Sequence, residues 1–244
     1  MKIPKLSKIK VYVNHEDLQG LKILHLSDLH INKKTDILSI KILVDYCKGF
    51  KYDFIVITGD IIDCKTNLIK DKLYLLNKLA KNKKVFYISG NHDLVYGLKD
   101  LEKSLPDFIL LDNKQNLIKF NNKQINLVGI SDRFSKFFNI KRDEKKVLEY
   151  LNSSDATIFI AHQPKDYKLA LDSCELFLCG HTHGGQIFPF HYFVKLFQPF
   201  LAGIHYVNKT AIYINKGLGT WGIDFRYKAN AEITLLKLIS KSVE

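Results

Sequence analysis

Residues 21–30, LKILHLSDLH, decide the fold. An apolar run of strand length stops on Ser27, Asp28 and His30, as a buried strand does when it carries polar groups at its carboxyl end. Residues 52–60, YDFIVITGD, repeat the pattern and close on Gly59-Asp60. Residues 84–93, KVFYISGNHD, repeat it again and close on Gly90-Asn91-His92-Asp93. Between these runs, DILSIKILVDYCKGF (36–50) and NLIKDKLYLLNKLAKNK (67–83) place apolar residues three and four apart, the spacing of a helix face. Strand, helix, strand, helix, strand predicts right-handed βαβ units and a parallel sheet.

Beyond residue 105 the texture becomes richer in strand. FILLDN, NLIKF and INLVGISD are short runs between Asn-rich turns, and NNKQ (121–124) reads as a hairpin. A charged helix, IKRDEKKVLEYL, leads to ATIFIAHQP, ELFLCGHTHGG, TAIYINKGLG and the terminal EITLLKLI. No Pro/Gly/Ser linker and no internal repeat divides the chain, so residues 1–244 are expected to form one domain. Two sheets packed face to face with helices outside is the economical arrangement.

At 244 residues the chain is long enough to bury a core without staples. Its four cysteines show no paired spacing, which predicts small core residues in a reducing compartment. No apolar run approaches the ~20 residues of a membrane helix, and the start lacks the apolar segment of a secretory signal. A cytoplasmic protein is expected. The formal charge of +12 is almost all lysine, since Arg133, Arg142 and Arg226 are the only arginines. Such charge suits anionic partners, or simply coats a solvated surface.

The polar residues at the strand ends are the chemical signal. Five runs deliver Asp28, His30, Asp60, Asn91, His162, His181 and His183 to one edge, where α/β sheets bind ligands. These oxygen and nitrogen donors, with no thiolate, suit two divalent ions of the Mn, Fe, Zn or Mg type. On an extended strand end, residues two apart share a side, so Asp28 and His30 are expected on one ion and His181 and His183 together. Asp60, with two oxygens, suits a bridge between cations ~3.5–4 Å apart.

The ordered set SDLH, TGD, SGNHD, AHQP and GHTHGGQ resembles the calcineurin-like metallophosphoesterase superfamily over about residues 21–238. GHTHGGQ followed by INKGLGTWGIDFRYKANAEITLLKL is similar to its YkuE-like branch. The resemblance implies a four-layer α/β/β/α sandwich of two mixed sheets flanked by helices. It implies Asp28, His30 and His183 on one ion, Asn91, His162 and His181 on the other, and Asp60 between them. The implied reaction is cleavage of a phosphoester or pyrophosphate by a metal-bridging hydroxide. His92 is then expected to stabilise the transition state or protonate the leaving group, and Asp93 to orient His92 or to cap the following helix. Arg133 and Arg226 are expected to grip phosphate.

Residues 187–206, IFPFHYFVKLFQPFLAGIHY, carry Phe190, Phe193, Val194, Phe197 and Leu201 at helical steps. The segment is either packed on the core or an apolar flap beside the site, with Phe193 and Phe197 touching acyl chains. With four lysines in the first ten residues, the flap reading allows peripheral contact with an anionic membrane. Three functions follow. The first is a hydrolase of a lipid-linked phosphoester or pyrophosphate, for which relatives that cleave UDP-2,3-diacylglucosamine are the example. The second is a soluble phosphodiesterase, phosphatase or nuclease. The third is a scaffold without chemistry. The absence of interleaved arginines and aromatics counts against nucleic acid.

Overall fold

A computed structural model describes residues 3–153, 155–189 and 191–242. Its strands are β1 (Leu6–Val13), β2 (Lys22–Leu26), β3 (Phe54–Ile57), β4 (Val85–Tyr87), β5 (Phe108–Leu110), β6 (Lys114–Phe120), β7 (Lys123–Gly129), β8 (Ala156–Ile160), β9 (Leu176–Cys179), β10 (Gly203–Val207), β11 (Thr210–Ile214) and β12 (Ile233–Ser240). Its helices are α1 (Ile37–Lys48), α2 (Lys70–Asn77), α3 (Asn91–Tyr96), α4 (Leu98–Ser104), α5 (Glu144–Leu151), α6 (Tyr167–Ala170) and α7 (His191–Phe197). The strands form two six-stranded mixed sheets, ordered β1-β12-β2-β3-β4-β5 and β10-β11-β9-β8-β7-β6.

Period-two alternation builds the layers. On β3, Ile55 and Ile57 face α1 and α2, while Phe54 and Val56 face the second sheet. On β9, Leu176 and Leu178 meet the first sheet, and Phe177 and Cys179 turn outward toward α5 and α6. Three apolar clusters therefore fill three interlayer spaces, giving the expected α/β/β/α sandwich. The 121–124 hairpin is present, with Asn121 and Asn122 both at positive φ, as a tight primed turn requires.

Two elements lay outside the sequence expectation. β1 runs parallel to β12 at the sheet edge and exposes alternate residues, so its apolar content is too low to stand out. α5 begins only at Glu144, after Asp143 caps it by accepting the Lys146 N–H. The cysteines are free, and all but Cys64 are buried. Among the described residues no helix is long and apolar enough to cross a membrane.

Both sheets point the carboxyl ends of their central strands the same way. β2, β3 and β4 from one sheet and β8 and β9 from the other finish around a common hollow. Loop-to-loop bonds hold them there: Asp28 N–H donates to Gly59 O, His30 N–H to Asp60 O, and Gly180 N–H to His162 O.

Candidate metal centre

The backbone at the strand ends is held where few side-chain-bearing residues sit. Asp28, His30, Asp60, His181 and His183 have φ of 50°, 46°, 53°, 71° and 51°. Such left-handed residues cost roughly 1–3 kcal/mol each and persist where the surroundings over-determine them, commonly at functional sites. This corrects the expected cause of pairing. Asp28 and His30 come together through left-handed turns beyond β2, not through the alternation of an extended strand.

All seven strand-end residues converge, in two groups. In the first, His183 Nε2 lies 3.3 Å from Asp28 Oδ1 and 3.1 Å from His30 Nε2. In the second, His162 Nε2 lies 3.1 Å from Asn91 Oδ1 and 3.1 Å from His181 Nδ1. Asp60 stands between them: its Oδ2 is 3.7 Å from His30 Nε2 and 3.3 Å from His162 Nε2. Its Oδ1 accepts the His92 N–H at 2.8 Å. One oxygen of Asp60, rather than the expected two, therefore faces both groups.

The donor set fits a pair of cations. His162 Nδ1–H donates to Thr58 O at 2.7 Å, which turns the Nε2 lone pair toward two acceptor oxygens. Asp28 Oδ1 is buried and accepts no hydrogen bond, although a buried oxygen rarely goes unpaired. Protons fill the role in part. Burial opposes charge on His162, but the Asp60 carboxylate outweighs it and raises the imidazole well above its ordinary pKa. Burial lowers His30 and His181 to about 4. Burial also opposes ionisation of Asp28, yet His183, His162 and His30 hold its carboxyl well below the usual range.

A buried chain of donors aims Asp28. His25 Nε2 reaches Thr58 Oγ1 at 3.0 Å, Thr58 Oγ1 donates to Ser27 Oγ at 2.8 Å, and Ser27 Oγ donates to Asp28 Oδ2 at 2.5 Å. The His181 N–H adds a second bond to that oxygen at 3.0 Å. Thr58 thus serves both groups, its hydroxyl through Ser27 and its carbonyl through His162. Gly180 is required by contact: a Cβ there would stand 1.9 Å from Ser27 Oγ and 2.4 Å from Asp28 Oδ2.

Of the two roles expected for Asp93 the structure shows the helix cap, and Arg133 lies away from the centre. His92 reaches the same hollow, with its ring 4.6 Å from that of His30, but Asp93 does not touch it. Asp93 accepts from Ile61 N–H, Ile62 N–H and Gly90 N–H, so it caps α3 and ties down the loop after Asp60. The carboxylate on His92 is Asp63, at 2.7 Å from Nδ1. Asp63 escaped the sequence reading because it lies with Asp60 in the loop after β3, whereas His92 follows β4; its only signal is its place three residues after a strand-end aspartate. Arg133 is also elsewhere. With Arg142 it closes on the buried Asp166, through Nε at 2.7 Å, and lines neither cavity beside the centre.

Arg226 does reach the centre, yet it is spent on the chain. It donates to the carbonyls of His183, Lys216, Gly217, Gly219 and Ala229 and lies 3.0 Å from His183 Nδ1. Burial lowers its guanidinium to about 10, so it stays charged. It fastens His183 and the 216–219 loop, and it lines a cavity beside the centre.

The aromatic segment divides: Phe200 and Ile204 pack against the core, while α7 exposes its aromatic side chains beside the centre. On α7, Phe193 is 59% exposed and Phe197 67%, and Phe190 lies outside the described residues. A cavity of about 350 Å³ runs from His30, Asp60, Asn91 and His92 to an apolar wall of Phe193, Val194, Phe197 and Trp221. Trp221 was not foreseen. Gln186 holds it in place, donating to Trp221 O at 2.9 Å and Ile223 O at 3.1 Å and accepting from Trp221 N–H at 3.0 Å.

A four-layer sandwich with paired carboxylate–imidazole groups at its strand ends defines a metallophosphoesterase. The sequence profile of the calcineurin-like phosphoesterases matches residues 21–185, and the chain belongs to that family. An uncharacterized metallophosphoesterase of Helicobacter pylori is 34% identical over 243 residues, covering 98% of this chain and 65% of that protein. The uncharacterized metallophosphoesterase YkuE of Bacillus subtilis is 30% identical over 236 residues, covering 91% of this chain and 80% of that one. The Haemophilus influenzae NAD nucleotidase NadN superposes with a TM-score of 0.58 at 14% identity, covering 81% of this chain and 50% of that one, which is a likeness of fold. The chain thus spans just under two thirds of the H. pylori protein. The family uses a divalent metal pair, and the clusters described above are its candidate ligands here.

Proposed function

We propose that this chain is a binuclear metal-dependent phosphohydrolase acting on a lipid-linked or membrane-proximal phosphoester or pyrophosphate. Asp28, His30 and His183 hold one ion, Asn91, His162 and His181 the other, and Asp60 lies between. The observation that carries the reading is the buried Asp28 Oδ1, which accepts no hydrogen bond and faces His183 Nε2 at 3.3 Å in a hollow of converging acceptors. When bound, the metal pair supplies Lewis acidity to the phosphoryl oxygens and an acidified water.

The chain's own groups do the rest. Asp63 holds the Nδ1–H of His92, which presents Nε2 to protonate the departing oxygen. The wall of Phe193, Phe197 and Trp221 supports the lipid-linked substrate, since it offers apolar surface within the same cavity as His92. UDP-2,3-diacylglucosamine is one substrate of this class.

The test is a screen of phosphoesters, including detergent-dispersed lipid pyrophosphates, with protein reconstituted in Mn, Fe, Zn or Mg and Asp60→Ala as control. The reading expects lipid-substrate activity that Asp60→Ala abolishes and that Phe193→Asp/Phe197→Asp selectively weakens. No divalent uptake sinks the hydrolase. Equal turnover of soluble diesters and lipid substrates, untouched by the Phe variants, sinks the lipid preference and leaves a soluble phosphodiesterase.

A further inference from the structure

A second cavity, of about 590 Å³, opens from the other side of the centre and is lined by His30, Asn32, Lys33, Lys34, Thr35 and Thr220 among others. His30 borders both cavities, so a substrate reacting at the centre extends into each. The two walls differ in chemistry. One carries aromatic side chains; the other adds lysines, hydroxyls and two acids, Asp63 and Asp224, to the apolar Leu29, Leu218 and Phe225.

The loop carrying the lysines is stapled. Asn32 N–H donates to Thr35 Oγ1 at 3.0 Å, Lys34 N–H to Asn32 Oδ1 at 2.9 Å, and Thr35 N–H to Asn32 O at 3.1 Å. A third ammonium closes it from α2: Lys72 Nζ donates to Asn32 O at 2.7 Å and to Lys33 O at 2.9 Å. Two lysines therefore sit on one short, hydrogen-bonded loop with a third, Lys72, bonded to it from α2, and like charges so gathered repel. Among the described residues none of the three has a carboxylate within ion-pair distance. The cavity's two acids are engaged, Asp63 by His92 and Asp224 by Thr220 Oγ1 at 2.8 Å. The cation Arg226 is tied to carbonyls. Lys33 and Lys34 are thus exposed, without a carboxylate in ion-pair contact, on a loop that lines the same cavity as His30.

We propose that Lys33 and Lys34 form a subsite for a second anionic group, carried on the part of the substrate that lies away from the aromatic wall. The substrate class this selects is a diester whose polar half bears its own negative charge, such as a pyrophosphodiester, in preference to a singly charged phosphoester. This rests on the phosphohydrolase reading, and it assigns the specificity of the same site.

The test compares metal-loaded wild type with Lys33→Gln/Lys34→Gln, an exposed pair whose replacement leaves the core untouched. Calorimetry measures binding of ADP-ribose, a pyrophosphodiester, and of AMP, which lacks the second phosphate. Turnover of bis(p-nitrophenyl) phosphate is followed in parallel. The subsite predicts that the variant binds ADP-ribose about 5- to 30-fold more weakly, with AMP binding and bis(p-nitrophenyl) phosphate turnover unchanged. It also predicts that the wild-type preference for ADP-ribose shrinks as salt rises. Equal binding of ADP-ribose by the two proteins overturns the subsite, as does an equal loss for AMP. Absence of both ADP-ribose hydrolysis and bis(p-nitrophenyl) phosphate turnover in metal-loaded wild type would instead strike the hydrolase reading, while the calorimetry still decides the subsite.

Discussion

Thr58→Val isolates the donor chain behind Asp28. The two side chains are nearly isosteric, so no cavity forms and the change is confined to one fully buried hydroxyl. Its loss strands His25. Nδ1 of that imidazole already has no partner, and Nε2 would lose its bond to Thr58 Oγ1. One buried N–H left unsatisfied costs about 1–3 kcal/mol. At roughly 2–4 °C per kcal/mol for a chain of this size, the metal-free variant should melt several degrees lower.

The metal consequence is smaller and selective. Asp28 Oδ2 keeps its bonds from Ser27 and from His181 N–H, and Thr58 O still fixes His162. Loss of one outer partner should weaken divalent uptake by about 10-fold, measured by competition with a chelator. Thr58→Ser keeps the hydroxyl and should bind metal as wild type does. The sharpest check is the double variant Thr58→Val/His25→Phe. It removes the stranded N–H, so it should recover part of the stability that Thr58→Val loses. If Thr58→Val melts with wild type, or if His25→Phe adds its own loss instead of restoring stability, the chain is not an energetic unit and the argument fails.

Four further outcomes follow from the same coordinates. Burial holds His25 at about 3, below its ordinary 6.5, so the unfolded chain takes up its proton first; stability from this group is lost as pH falls from 6.5 toward 3, and His25→Phe should flatten that part of the melting-versus-pH curve. Asp63→Asn should lower kcat by roughly 10- to 100-fold while leaving metal content unchanged, since Asp63 contacts only His92 among the centre's histidines. Gly180→Ala, whose Cβ would overlap Ser27 Oγ and Asp28 Oδ2, should fold but take up metal poorly by elemental analysis; full occupancy would refute the packing argument. Arg142→Ala should destabilise by about 3 kcal/mol through the buried Asp166, and the more exposed Arg133→Ala by less, with activity per folded molecule unchanged in both.

What was legible in the sequence divides along a physical line. Strand-end aspartates and histidines announce themselves as a set, because five apolar runs that stop on oxygen and nitrogen donors are hard to explain as caps, although Asp93 alone proves to be one. The layered fold was readable from the strand–helix order of the first half and the short strands of the second, with the four layers implied by the family resemblance; which face each residue of β3 and β9 takes was not, since both strands are apolar and buried throughout. What failed was inference by adjacency. Asp93 follows His92 in sequence, but α3 begins at Asn91, and at its third position a carboxylate folds back onto Gly90 N–H while its neighbour points elsewhere. His92 therefore finds its partner in Asp63, which arrives on the loop after β3. Trp221 was hidden for the same reason: its position depends on Gln186, 35 residues away, whose side-chain amide bonds the backbone of the Trp221 loop on both sides of the contact. Left-handed φ at five candidate ligands was also invisible, since nothing in D-x-H or H-x-H specifies it.

That last feature bears on why the site can select a substrate at all. The turns at Asp28, His30, His181 and His183 store strain that the surrounding loops must oppose, and those loops are the ones that line the two cavities. The 216–219 turn is fastened by Arg226, the Trp221 loop by Gln186, and the lysine loop by Lys72. The first two join residues beside the centre to a substrate-facing wall, and the third ties the lysine loop to α2. A change on either wall should therefore alter what binds there before it alters whether metal binds, because Asp28 and Asp60 are held separately, by Ser27 and by the His92 N–H. Chemistry shared across the family and selectivity particular to this chain can then reside in different bonds of one small region.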